Sequence, residues 1–500
     1  MRYVVGIDGG TESARANVFD GAGRDLGGAA ASYATTFPSP GRAEQDPRDW
    51  WHAVGEAVRG AISAAAIEAR DVAALAVDTT SSTVVVTDAR AEPLRPAILW
   101  MDVRAETEAA TVLRTGDRAL QLNGAGIGPV SAEWMIPKAL WLKHHERELY
   151  ERSDVLCEYQ DFIVRRLTGR SAASLTTASI RWHYRSREGG WPDDLLAALD
   201  LSELREKWPR EMVAAGEVVG SLTQSAAEHL GLTTSTLVVQ GGADAFIGTL
   251  GLGVARAGQV ALITGSSHLQ LAVTDAPVHM KGLWGSYADV VCPGRHILEG
   301  GQSASGSMIA WLRRVIGTDI DFDRLNHEAT KIAPGAEGLI VLDHFQGNRT
   351  PHTDAQSRGA VVGLSLGHGR AHMFRAMIEG ICLGTRQILA TMESAGVRVT
   401  EMVVGGGATN SPLWLQIHAD TANVPVTVTK FPSAPVLGSA ILAAVGAGIF
   451  ASIDEAIARM VTIDRVIEPD RASVAAYHDI SARYDRLYPA LKAWRNGVSA

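Results

Sequence analysis

Residues 4–20, VVGIDGGTESARANVFD, decide the fold, and residues 261–275, ALITGSSHLQLAVTD, repeat their plan. In the first stretch the apolar run 3–7 predicts a strand, 8–13 is a turn of Gly, Thr and Ser, and 14–20 returns as a second strand. In the second, 260–263 leads into Thr264-Gly265-Ser266-Ser267, and 269–273 leads away. Two halves that each carry strand, small-residue turn and strand predict duplicated domains facing one cleft. From the residues alone, two unrelated hairpins of the kind common in α/β chains are an equal alternative.

Working outward, Asp46-Pro47 predicts an N-cap followed by proline at the first helical position, with the helix running to about residue 69. Strands are expected at 72–77, 83–88 and 97–101, and a polar helix near Arg104. Another strand at 237–240 meets the turn Gly241-Gly242-Ala243-Asp244. Phe374, Met377, Ile378, Ile381, Ile388, Leu389 and Met392 share one face of a long helix. A strand at 401–404 feeds Gly405-Gly406-Gly407, then come a helix at 412–421 and a strand at 424–428. Residues 436–451 carry no charge but fall short of the roughly 20 needed to span a membrane, so they predict a buried core helix. Glycines clustered over 251–258 place the domain boundary there, giving domains 1–252 and 253–500.

With 500 residues, and about 150 per domain, two to four domains are expected. Lys+Arg of 46 against Asp+Glu of 55 leaves −9, which disfavours a nucleic-acid binder. Three cysteines, Cys157, Cys292 and Cys382, lie far apart without a CxxC, which excludes a disulfide scaffold and fits a reducing compartment. The first apolar run ends at Asp8, too soon for a signal-peptide core. A cytoplasmic protein without nucleic-acid or membrane partners is expected.

Three turns, Gly9-Gly10-Thr11-Glu12-Ser13, Gly265-Ser266-Ser267 and Gly405-Gly406-Gly407, each follow an apolar strand. Such turns let backbone N–H groups approach a phosphate without side chains in the way. No Gly-Lys-Ser/Thr occurs, so a Walker-type loop is excluded. Gly446-Ala447-Gly448 ends a helix rather than following a strand, unlike a dinucleotide fingerprint. His368 and His372, in HGRAH, lack the glutamate of a zinc motif and read as helix-start residues.

Phosphoryl transfer needs a carboxylate near Mg²⁺ and a base for the accepting hydroxyl. Asp8, at the end of a buried strand, suits a hydrated metal. Asp244 suits a cleft-facing base, and Asp102 could hold sugar hydroxyls. Each of the three, taken singly, also reads as an N-cap or turn aspartate.

The chain resembles the FGGY carbohydrate kinases, the family of glycerol, xylulose and ribulose kinases, along nearly its whole length. The matching segments are GIDGGTES (6–13), EQDPRDWW (44–51), ILWMDVRA (98–105), GGADAFIGTLGLG (241–253), TGSSHL (264–269), GGQSASGSMIAWLRR (300–314), SRGAVVGL (357–364) and VVGGGATNSPLWLQIHAD (403–420). The resemblance implies an α/β fold of two actin-like, ribonuclease-H-like ATPase domains around a central interdomain cleft. It also implies ATP and Mg²⁺ in that cleft and a sugar held mainly by the N-terminal domain. Carried over by motif, Asp244 is the general base, Asp8 holds hydrated Mg²⁺, and Thr11 with Ser13 forms the first phosphate loop. Gly265 and Ser266 form the second, although the family more often has Gly-Thr there. Gly306, Gly407 and Ser411 surround the adenosine and its phosphates. Trp100, Asp102 and Arg104 match the family's sugar-side Trp-x-Asp-x-Arg segment.

Ser81 and Ser82 stand where glycerol kinases carry Arg-Glu, and Glu133 where they carry an aromatic. DTTSST (78–83), EGGQSASG (299–306) and GNRTP (347–351) look most like the ribulokinase side of the family. The resemblance therefore implies phosphorylation of a ketopentose, D-ribulose to D-ribulose 5-phosphate. A kinase of D-xylulose or another ketose or polyol is the alternative, and a non-catalytic sugar-binding regulator is a third. Expected partners are a small-molecule sugar and a nucleotide; whether the chain forms a homodimer stays open.

Overall fold

In the computed structural model, residues 2–126, 128, 130–317 and 321–497 are described. The opening hairpin lies at the centre of a six-stranded sheet. Tyr3–Gly9, Ser13–Phe19 and Asp25–Ser32 run as an antiparallel meander, and Tyr3–Gly9 continues parallel to Val72–Thr79 and then to Leu237–Val239. Val218–Ser221 closes the edge antiparallel. The second half repeats this order. Gln259–Thr264, His268–Thr274 and His296–Gln302 form the meander, Gln259–Thr264 runs parallel to Glu401–Gly406 and then to Val426–Thr429, and Ile463–Ile467 is the antiparallel edge. The two quoted hairpins are thus topological equivalents, which removes the alternative of unrelated turns.

Tyr3–Gly9 is buried on both faces, which is why it reads as an apolar run rather than an alternation. Val5 and Ile7 pack with Trp50, Val54 and Val58 of the helix Pro47–Ala65. On the other face, a Cβ at Gly6 would overlap the Val436 carbonyl, so this strand and the helix Ala434–Gly446 meet backbone to backbone. The stretch expected as a core helix is that helix, and its place is the junction between the halves. It belongs by sequence to the second half but packs on Val4, Ala74 and Ala76 of the first sheet. Reciprocally, Phe246 and Leu250 of the helix Asp244–Gly251 share an apolar cluster with Leu271 and Val273 of the second sheet. Gly438 and Gly251 leave no room for a Cβ between the two helices, which explains the small-residue composition.

Several expected boundaries shift for local reasons. Asp46 caps the first helix by accepting from the Arg48 N–H at 2.9 Å, but the helix ends at Ala65 because Ala66 turns left-handed at φ 52°. The strand expected over 97–101 covers only Ala97–Ile98, in a small antiparallel sheet with Glu44–Gln45, Val84–Thr87 and Val155–Glu158. Beyond Ile98 the chain leaves the sheet and carries Trp100 into the cleft. Among the described residues no helix is long and apolar enough to cross a membrane.

Candidate active site

Adjacent parallel strands bring two carboxylates together at the end of the first sheet. Asp8 is in register with Asp78 on one side and with Arg15 across the hairpin. Burial raises the Asp8 carboxyl above its ordinary value, against the pull of Arg15, whose Nη1 lies 3.4 Å from Oδ2. Asp78 is fully buried and raised further, by desolvation first and then by the Asp8 charge. Ser439, from the second half's helix, donates to Asp78 Oδ2 at 2.7 Å, while Asp78 Oδ1 has no partner among the described residues. Asp78 was not singled out from the sequence. The available signal was that both strands end alike, VVGID at 4–8 and ALAVD at 74–78.

Asp244 reaches the cleft because Gly241 and Gly242 let the chain lie flush on its neighbours. A Cβ at Gly241 would overlap the Val77 carbonyl, and one at Gly242 would strike Thr176. The Thr79 N–H donates to the Gly242 oxygen at 3.0 Å and fixes this approach. The helix Asp244–Gly251 then starts with Asp244 in its first turn, where Oδ1 accepts the Ala245 N–H at 2.7 Å. Desolvation, with the nearby Asp8 charge, pushes its carboxyl up to about 7; the Ala245 N–H and Arg181 pull the other way.

Asp244 faces a cavity of about 420 Å³ between the halves, which Thr11, Ser81, Ser82, Trp100 and Glu133 also line from the first half. Gly265 and Ser266 line it from the second, so both phosphate-type loops open on one space. The residues expected on the sugar side sit on a braced frame. Trp100 Nε1 donates to Thr11 Oγ1 at 3.1 Å, and the Trp100 N–H donates to Thr83 Oγ1 at 3.3 Å. Ser82 holds a left-handed φ of 65°, maintained by a donation from its N–H to Glu158 at 2.6 Å. Lys138, fully buried, donates to the Ser82 oxygen at 2.6 Å and the Leu99 oxygen at 2.7 Å, tying the two sugar-side segments together. Burial brings Lys138 down to about 7 and Glu158 up to about 7. Neither residue had been picked out from the sequence, because the contacts join segments far apart in the chain.

The expected sugar contacts of Asp102 and Arg104 need correction. Asp102 is wholly buried, and its carboxylate accepts from the Ala43 N–H, the Arg104 N–H, Arg104 Nε and Arg104 Nη2 at 2.7–2.9 Å. Arg104 also pairs with Glu44 at 2.7 Å. Those four bonds occupy the carboxylate's capacity, so the pair braces the turn beside Trp100 and faces no ligand. Hydrogen bonds from Arg104 and Ala43 outweigh desolvation and hold Asp102 below its usual range.

On the side expected to hold the nucleotide, the Gly265 N–H donates to the Ser267 oxygen at 3.0 Å, as the Gly10 N–H does to the Ser13 oxygen at 3.0 Å. Gly306 opens the helix Gly306–Ile316 directly against the second loop: its N–H donates to the Gly265 oxygen at 3.1 Å, and a Cβ would overlap that oxygen. Thr264 accepts the Ala408 N–H at 3.0 Å and donates to the Gly405 oxygen at 2.7 Å, bracing the glycine turn. A Cβ on Gly407 would meet open space, so this residue is free to flank a ligand. The Ser411 hydroxyl is already engaged, accepting the Trp414 N–H at 3.2 Å as a helix cap and donating to Asn326 at 2.6 Å. The spacing Gly363-Leu364-Ser365-Leu366-Gly367 matches a hydrolase elbow and follows the strand Ala360–Val362, but the next helix starts only at Arg370 and Leu364 and Leu366 are exposed, so Ser365 sits in an open loop rather than on a sharp strand-to-helix turn.

The back wall is a cross-half ion pair that the sequence did not reveal. Arg181 of the first half forks onto Glu299 of the second at 3.1 and 3.2 Å, and the Tyr287 hydroxyl also donates to Glu299 at 3.0 Å. Removing either partner strands a buried charge, at about 3–5 kcal/mol.

Two like-folded halves, a carboxylate cluster on one wall and backbone loops on the other define a two-domain kinase of actin-like ATPase fold. The chain belongs to the FGGY family of carbohydrate kinases: the N-terminal domain of that family matches residues 3–251 and the C-terminal domain residues 260–447. It is 32% identical to an FGGY carbohydrate kinase domain-containing protein of Xenopus laevis, covering 97% of this chain and 95% of the relative. It is 30% identical to a ribulokinase of Shouchella clausii over 99% and 96% of the two chains. A solved structure described as a xyloylose kinase from Brucella ovis superposes with a TM-score of 0.89 at 25% identity, covering 99% of this chain and 100% of that one.

Proposed function

We propose that the enzyme transfers the terminal phosphoryl group of ATP to the primary hydroxyl of a ketopentose, D-ribulose first, with Asp244 as general base. The observation that carries this reading is that Asp244, held at about 7, shares one cavity with the Gly265-Ser266 loop of the opposite half. A sugar hydroxyl is a weak acid, so a carboxylate of raised affinity for protons suits a base that accepts the proton as the bond to phosphorus forms. Ser81, Ser82, Trp100 and Glu133 hold the sugar; Thr11, Ser13, Gly265, Ser266, Gly306 and Gly407 cradle phosphates or flank the nucleotide. Ser411, its hydroxyl taken up by the helix cap and by Asn326, supports the nucleotide side by bracing it rather than by touching the ligand.

The carboxylates fit a hard cation. Asp78 Oδ1 is buried beside Asp8 without a partner among the described residues, and oxygen donors of this kind suit Mg²⁺, which keeps several waters and takes one or two carboxylates plus substrate phosphates. Asp8 would hold the hydrated ion, with Asp78 behind it. When bound, the ion neutralises charge on the transferring phosphoryl group.

D-xylulose is the second reading, supported by relatives such as the Staphylococcus xylosus xylulose kinase, 28% identical over 98% of this chain. A panel of pentuloses, hexuloses and polyols in a coupled ADP-release assay decides between them. Highest kcat/KM with D-ribulose is expected; highest kcat/KM with D-xylulose overturns the first choice, and no acceptor-dependent ADP release overturns the kinase reading.

A further inference from the structure

Two arginines approach Trp284 on the cleft wall, and they differ in one respect. The Arg181 guanidinium, 5.9 Å from the ring centre, is taken up by Glu299. The Arg349 guanidinium lies closer, at 4.1 Å, lines the same cavity and, among the described residues, pairs with no carboxylate and donates no hydrogen bond. Its backbone is nevertheless tightly held. Thr350 Oγ1 accepts the Gly301 N–H at 3.3 Å, Asn348 Nδ2 donates to the Thr350 oxygen at 3.1 Å, and the His352 N–H donates to Asn348 Oδ1 at 2.8 Å. A fixed loop thus presents a planar five-donor fork, stacked on an indole, into a cavity where, among the described residues, it bonds no protein acceptor. Such a group finds its acceptors on the ligand.

Position decides which part of the ligand. Trp284 packs edge-on against Trp134, the chain neighbour of Glu133, at 5.9 Å, and Arg181 lies 5.8 and 5.9 Å from the two rings, so Arg349 belongs to the corner of the cavity that holds the sugar-side candidate Glu133. Glu299 is occupied by Arg181 and Tyr287, and Arg349 makes no bond to Glu133 among the described residues, so hydroxyls of a sugar seated against Glu133 are within the fork's choice of acceptors. We propose that Arg349 donates to the hydroxyls at the non-reacting end of the sugar chain, making it the specificity residue supplied by the C-terminal half. The inference rests on the ketose-kinase reading. It adds that the sugar is gripped from both halves, and that acceptors too short to reach Arg349 gain nothing from it.

The test compares the full-length wild type with Arg349→Ala and Arg349→Lys on D-ribulose, D-xylulose and the three-carbon acceptors dihydroxyacetone and glycerol. Arg349→Ala is expected to lower kcat/KM for five-carbon acceptors roughly 10- to 100-fold, mostly through KM, as for loss of a charge-assisted hydrogen bond. Three-carbon acceptors and KM for ATP should be unmoved, and Arg349→Lys should recover part of the loss. Equal losses on short and long acceptors, a raised KM for ATP, or no loss at all would overturn the role. The two failures are distinguishable: a wild type inactive on every ketopentose sinks the functional reading, whereas Arg349 is judged on whichever acceptor of four or more carbons the wild type accepts.

Discussion

The two hairpins share a topology and differ in chemistry, and the difference assigns the work of each half. In the first, the strand ends in Asp8 beside Asp78, and its turn reaches from Gly10 to Ser13. In the second, Thr264 stands at the corresponding strand end, beside Gly406, and its hydroxyl braces a glycine turn. On the proposed reading, carboxylates gather where a cation and a proton acceptor are needed, while the opposing half offers neutral backbone to phosphates, which a carboxylate would repel. The junction helices follow the same logic. The helices Asp244–Gly251 and Ala434–Gly446 each pack on the other half's sheet, so Ser439 of the second half reaches Asp78 of the first.

The comparison breaks most visibly at the strand ends. Asp8→Asn is expected to reduce kcat at least about a hundredfold, the order seen when a preorganised charged group is lost, and to weaken Mn²⁺ binding read by electron paramagnetic resonance. Thr264→Val, its counterpart, should cost only about 2 kcal/mol of stability from two lost hydrogen bonds, with an intact metal signal. Equal metal-binding losses in both variants would show that the halves are not divided in this way.

A smaller effect sharpens the carboxylate side. Asp244 rises from 3.8 in the unfolded chain to about 7 in the fold, so the folded protein binds the extra proton between those values and loses stability as pH rises through about 7. Asp244→Asn should accordingly melt about 2 °C higher than wild type at pH 8, with the gap closing as pH falls toward 4. A gap that widens at low pH would contradict the buried-carboxylate account.

The fold was legible because its signal is local: an apolar strand, a Gly/Ser/Thr turn and a returning strand, written twice. Asp244 and the two loops were legible for the same reason, each being a short string after a strand. Asp102 misled because a Trp-x-Asp-x-Arg string states neighbours in sequence and not the four donors that saturate the carboxylate. Asp78, Lys138 and the Arg181–Glu299 pair were hidden because their partners lie in distant segments, and only the assembled core shows that Lys138 ties Ser82 to Leu99. The helix Ala434–Gly446 was recognised as buried, but its apolar sequence could not tell one sheet from another as its neighbour.

The most direct measurement is turnover of Asp244→Asn together with sugar binding by the same protein. Loss of the proton acceptor predicts a kcat at least about a hundredfold lower, with sugar affinity by calorimetry largely kept. Near-normal turnover in that variant would remove Asp244 from the reaction and with it the assignment of proton-accepting chemistry to the first half.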